Sequence, residues 1–162
     1  MAEITTLEEK LAEVLGLAQA AQGLTEKVEK LVDDDDIVTK LREMRNEAEE
    51  TEQRCTQVAE SRDGRKTAIL DKARETKQEA EEMASTYLGD DAEDLDGFEF
   101  MTMAEAGEVG HWLVLGKLNE TAGEEEIREL VEWATPIQER HFETVKECAL
   151  KLAADEDPYE EA

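Results

Sequence analysis

Proline, histidine, cysteine and aromatic residues are all scarce in this chain: two prolines, two histidines, two cysteines and 4% aromatics in 162 residues. With so few prolines and only nine glycines, little interrupts long helices. The core must be built mainly from leucine, valine, alanine and methionine. Two thiols, Cys55 and Cys148, make no disulfide framework. Each falls on an apolar helical face, where cysteine is a small inert hydrophobe, and a cytoplasmic location is the expectation. Met1-Ala-Glu-Ile shows neither the basic nor the apolar region of a cleavable signal. No stretch is apolar enough to span a bilayer. There is no Ser–His–Asp or Cys–His arrangement, no glycine-rich phosphate loop and no Cys-x-x-Cys pair, which disfavours hydrolase and nucleotide chemistry.

Positive charge is also in short supply. Eighteen basic residues face 44 acidic ones, a net charge of −26. Such a surface repels phosphates and anionic membranes, so neither nucleic acid nor membrane is an expected partner. It suits cations, basic partners or solubility at high salt. The length fits a single domain over residues 1–162, with an acidic tail from Asp155.

What is present is helical periodicity. A first helix is predicted from Thr6 to Val32, opened by the capping box Thr6-x-x-Glu9 and striped by Leu7, Leu11, Val14, Ala18, Ala21, Val28 and Leu31. The run Asp33 to Asp36 breaks the chain and starts a second helix, to Glu60, striped by Ile37, Leu41, Met44, Ala48, Thr51, Cys55 and Val58. A third, from Asp63-Gly64 to Tyr87, carries a weak stripe and reads as peripheral. After an acidic loop over Leu88 to Gly97, a fourth has Asp96-x-x-Glu99 near its start and Thr121-Ala122-Gly123 at its end. Its predicted inner face is Met101, Ala104, His111, Val114, Leu115 and Leu118. The fifth begins at Glu124 and is predicted to kink or restart at Pro136, with Thr135 as N-cap.

Both histidines lie on these apolar stripes, in Glu108-x-x-His111 and Gln138-x-x-His141. Residues three apart share a helix face, and this spacing is one way to place metal ligands inside a bundle. Short turns imply antiparallel hairpins. Their register sets Glu47 level with Gln22, Glu50 with Gln19, Glu108 with Gln138, and Trp112 with Trp133, where the two rings could stack. Polar groups thus gather at mid-height beside small residues such as Ala18, Ala21, Ala48, Gly107 and Gly110. A metal-free reading of the same residues also stands. Gln138 would be the partner of a Thr135 capping box, Glu108 and His111 would satisfy each other, and Glu47 and Glu50 would be solvated.

Two stretches, Glu49-Glu50-Thr51-Glu52-Gln53 and Glu108 to Gly116 followed by Lys117-Leu118, resemble the ferritin-like superfamily, in particular its stress-induced YciF-type branch. The resemblance implies an all-α, antiparallel four-helix bundle with an additional helix in the crossover connection. It also implies one or two transition-metal ions in the core, iron or manganese with zinc as a further option. Carried over residue by residue, the ligands are Glu47, Glu50, Glu108, His111 and His141. Gln19, Gln22 and Gln138 stand where the family uses glutamate. The implied role is iron handling or oxidative-stress protection, and any enzymatic activity would be a metal-dependent oxidase or peroxide-consuming one. A homodimer is the expected assembly, and a metal-free interaction or scaffold bundle is the alternative function.

Overall fold

The computed structural model describes residues 2–162. They form five helices: α1 (Thr6–Glu29), α2 (Asp35–Glu60), α3 (Lys66–Tyr87), α4 (Asp94–Ala122) and α5 (Glu125–Ala154). Among the described residues there is no strand, and no helix is long and apolar enough to cross a membrane.

Helix starts follow local capping chemistry chosen by distant partners. For α1 the capping box is Thr5 with Glu8, one residue earlier than the predicted Thr6 with Glu9. The adjacent Thr-x-x-Glu lost because Glu8 is buried and is met by Arg65 at 3.0 Å and Arg62 at 3.7 Å. The Asp34 carboxylate accepts from the N–H groups of Asp36 and Ile37 to start α2. Glu93 and Asp96 form the box that starts α4, so Asp94 to Gly97 are its first turn rather than the end of a loop. Gly123, at φ 67°, ends α4 in the left-handed region. The Asn119 side chain then bonds both the N–H and the C=O of Glu124 and pins the turn into α5.

Of the kink or restart predicted at Pro136, the restart does not occur: α5 runs continuously through it. Thr135 makes no cap, and its hydroxyl oxygen is buried without a partner. The neighbouring helices hold α5 together across the break that proline imposes on its hydrogen bonding.

Helix α1 packs against α2, α3 and α4, and α5 packs against α4 and α2. The α1–α2 hairpin is antiparallel, with Gln19 and Gln22 on Glu52, Thr25 on Arg45 and Glu29 on Arg42. This is one to five residues out of the predicted register, which paired Gln22 with Glu47. Helix α3 lies on α1, and more lightly on α2. The α1–α3 crossing is tight at Gly16, where an added Cβ would sit 2.3 Å from the Ala73 carbonyl oxygen.

The core is in two apolar clusters. One contains Leu11, Leu15, Cys55, Ile69, Trp112, Leu115 and Ile127. The other contains Val28, Ile37, Leu41, Phe98, Met101, Val145 and Cys148. Trp133 packs beside the first cluster without stacking on Trp112, and the Arg54 guanidinium covers it at 4.0 Å. Between the clusters lies a layer of small and polar residues.

Candidate functional site

That layer centres on a small cavity of about 10 Å³, lined by Ala18, Ala21 and Thr25 of α1, Met44, Ala48 and Thr51 of α2, Glu105 and Glu108 of α4, and Gln138 and His141 of α5. All four of the longer polar side chains on α4 and α5 are buried. Their spacing explains why they meet. On α4, Met101, Glu105, Glu108, Trp112, Leu115 and Asn119 recur at steps of four and three residues and form its inner face. On α5, Ala134, Gln138, His141, Val145 and Cys148 do the same.

The Gln138 amide donates to the Glu105 carboxyl. His141 Nε2 lies 3.1 Å from Glu47, whose carboxylate also accepts two bonds from Arg140. Glu108 has no hydrogen-bond or ion-pair partner among the described residues, and no cation reaches Glu105 either. Burial pushes the Glu105 carboxyl up to about 8, against the bond from Gln138. Burial, with the neighbouring Glu105 carboxylate, pushes Glu108 well above the usual range. Arg140 foremost, against partial burial and with His141 also helping, holds Glu47 below it. Burial lowers the His141 imidazole, although Glu47 works the other way. The arrangement is therefore two adjacent buried acids lacking a countercharge, beside a histidine disposed to stay neutral. Such a set stays neutral by holding protons or by taking up a cation.

Of the five residues singled out from sequence, the structure brings Glu108 and His141 to this cavity and sets Glu47 at its edge through His141. It does not bring Glu50 or His111 there. Glu50 is exposed and paired with Arg54 at 3.0 Å. His111 has 43% of its side chain exposed, bonds through Nδ1 to the Gly107 carbonyl at 2.8 Å, and faces Glu13 at 3.6 Å. The predicted inner face of α4 was rotated toward Ala104, His111 and Val114, and Val114 is in fact 47% exposed. Apolar residues surround much of this helix, so hydropathy alone did not fix its orientation. Glu105 was missed for the same reason, although its place in the four–three spacing with Met101 and Trp112 was there to be read. Gln138 serves Glu105 rather than a cap.

Among the described residues, no group of three or more His, Cys, Asp or Glu side chains is disposed to hold a metal ion. No protein-family model, curated protein or solved structure matches the chain.

Proposed function

We propose that this protein is a divergent ferritin-like bundle that binds one divalent transition-metal ion at mid-height between α4 and α5. The observation that carries the reading is the Glu105–Glu108 pair, two buried carboxyls with no countercharge beside His141. Glu105, Glu108 and His141 would be the ligands, with the Gln138 amide as a weaker neighbour. Glu47 engages one ring nitrogen of His141, the kind of outer partner that orients a ligating imidazole. The opposite wall of the cavity offers Ala18, Ala21, Ala48 and Thr51, so a second ion would find no carboxylate there. The packing order, with α1 beside α2 and α4, α5 beside α2 and α4, and α3 lying on α1 in the connection between the two hairpins, supports a four-helix bundle with an additional helix in the crossover.

The donor set of two carboxyls and one imidazole fits iron or manganese, and it also accepts zinc. A bound redox ion would supply the electron chemistry of an oxidase or peroxide-consuming activity, and with it a role in iron handling or stress protection. The chain's own part is narrower. Glu105 and Glu108 supply negative charge, Glu47 and Gln138 orient His141 and Glu105, and the two apolar clusters keep bulk water out. We further read the protein as cytoplasmic, consistent with two free buried thiols, and as a homodimer, for which the exposed Leu113 and Val114 of α4 offer an apolar face.

The test is metal content per chain on untagged protein purified without chelators, beside a Glu108→Gln/His141→Ala variant. Near-stoichiometric metal that vanishes in the variant is the expected result. No metal in either after reconstitution would overturn the reading. One observation favours a metal-free scaffold bundle instead: His141 with Glu47 and Gln138 with Glu105 already satisfy one another in pairs. That reading expects unchanged folding and assembly in the double variant, and thermal stability indifferent to added metal.

A further inference from the structure

Helices α3 and α4 both pack on α1 and meet each other through the stacked rings of Tyr87 and Phe100, 5.4 Å apart, leaving a space between them beyond that contact. The space between them is a cavity of about 470 Å³, within the range of small-molecule sites. Its floor is α1 from Leu17 to Lys27, about 15 Å at the rise of a helix. Leu17, Leu24 and Phe100 make it apolar, and Ala80, Ala104 and Gly107 leave the room. Met83 and Met103, both about half exposed, stand at its mouth as soft, adaptable walls. The antiparallel register of α1 and α4, set by Glu13 against His111 and Val28 against Gly97, places Glu108 at the Leu17 end and Lys27 at the other.

Glu108 gives the groove a chemical end. The residue is 7% exposed, lines this cavity as well as the core one, and has no hydrogen-bond or ion-pair partner among the described residues. Glu79 and Glu81 also line the groove. Among the described residues, the one lysine or arginine in the lining, Lys27, already donates to the Leu88 carbonyl at 3.1 Å. A molecule lying here meets an apolar trough and an unengaged carboxyl, whose carbonyl oxygen accepts a hydrogen bond whether or not the group holds a proton, and Glu79 and Glu81 in the lining disfavour an anionic head.

We propose that the groove binds an apolar chain ending in a hydrogen-bond-donating head, an alcohol or primary amine, with the head on Glu108 and the chain running toward Phe100. The proposal goes beyond the metal reading and shares only Glu108 with it.

The experiment is displacement of a neutral environment-sensitive dye by 1-dodecanol, dodecylamine and dodecanoate, each below its micellar range, on the protein as purified and after chelation. The alcohol and amine should displace the dye, and dodecanoate should be weaker by about tenfold or more, the worth of one good hydrogen bond. The uncharged alcohol separates seating on Glu108 from general attraction of an amine to an acidic surface. An added Cβ at Gly107 meets nothing within 4 Å, so Gly107→Phe should fold normally, fill the groove and abolish displacement. Glu108→Leu should keep chain binding and level the three heads. Displacement unchanged in Gly107→Phe, or dodecanoate binding as well as the alcohol, overturns the proposal, and so does a concentration-dependent dimer that alone accounts for the dye signal. Displacement by the alcohol in a protein that holds no metal would sink the metal reading and leave this one standing. Stoichiometric metal without displacement would do the reverse.

Discussion

Gly16 offers the sharpest test of how the helices are seated. A methyl group added there would lie 2.3 Å from the Ala73 carbonyl oxygen, 2.8 Å from Thr76 Cβ and 3.1 Å from the Lys77 nitrogen. Two of the three are backbone atoms, so no side chain can swing aside. Carbon contacts relax at about 3.5 Å or more, so α3 must move outward by about 1 Å. Overpacking of this kind costs about 1–3 kcal/mol, with backbone clashes at the upper end. Replacing a mid-helix glycine with alanine gives back about 1 kcal/mol. Gly16→Ala should therefore lose about 2 kcal/mol net. Gly23, on the same helix, has nothing within 4 Å of its added Cβ, so Gly23→Ala should gain about 0.5–1 kcal/mol. The two variants carry the same chemical change and should separate by about 3 kcal/mol. In urea unfolding, at about 1–3 kcal/mol per molar, their midpoints should differ by about 1 M or more. Equal midpoints would refute the α1–α3 crossing. They would also undo the groove, because α3 is one of its walls.

Four further outcomes follow from the charge and burial pattern. The folded Glu105 carboxyl titrates near 8 because burial raises it, so its stabilising contribution is complete below its unfolded value and is lost as pH rises toward 8. Glu105→Gln should match the metal-free wild type near pH 4 and exceed it increasingly up to pH 8 in thermal unfolding; a constant gap would refute the shift. Cys55 and Cys148 are buried, and burial raises both thiols, so neither should react with a thiol reagent until the chain unfolds, and prompt native labelling would contradict the packing. With a net charge of −26, unfolding midpoints should rise from low salt to molar salt as self-repulsion is screened, and a flat response would show that surface charge is not what limits stability. Glu105→Leu/Glu108→Leu should raise the stability of metal-free protein, since each incompletely bonded buried carboxyl costs about 1–3 kcal/mol that an apolar side chain does not.

Helix number and type were legible in the sequence because α2 and α5 bury one face and expose the other, and because α1, enclosed by three helices, carries a long run free of proline. The stripe Ile37, Leu41, Met44, Ala48, Thr51, Cys55 and Val58 is the buried face of α2 to the residue, with Ala59 added. Boundaries shifted where a distant partner decided between equal local signals, as Arg65 did for Glu8 over Glu9. The candidate site was only half legible. His141 could be placed because its neighbours on α5 are plainly periodic, whereas Glu108 was reached only through its spacing to His111 and the family resemblance. His111 misled because α4 is apolar on several sides, and a histidine among apolar residues reads as inward when the helix's rotation is unknown. At Pro136, of the kink and the restart that were expected, the restart does not occur, because tertiary packing overrides the local tendency of proline to end a helix.

The polar layer is best understood by what it costs. Two well-packed apolar clusters sit on either side of it, and extending them through Glu105, Glu108, Gln138 and His141 would give one continuous core. Instead the chain keeps two acids without a countercharge, a buried amide and a buried imidazole, each carrying a desolvation penalty. Fold specificity could motivate such a layer, since buried polar groups fix register. That account suits Gln138 with Glu105 and His141 with Glu47, which are matched pairs across helix interfaces. It does not suit Glu108, which is matched to nothing and so specifies no register. An unmatched carboxyl that opens at once on a polar core cavity and an apolar groove has its compensation outside the chain. An incoming cation or a donor-headed ligand is the chemistry that supplies it, and Glu108 is where the two readings meet and can be told apart.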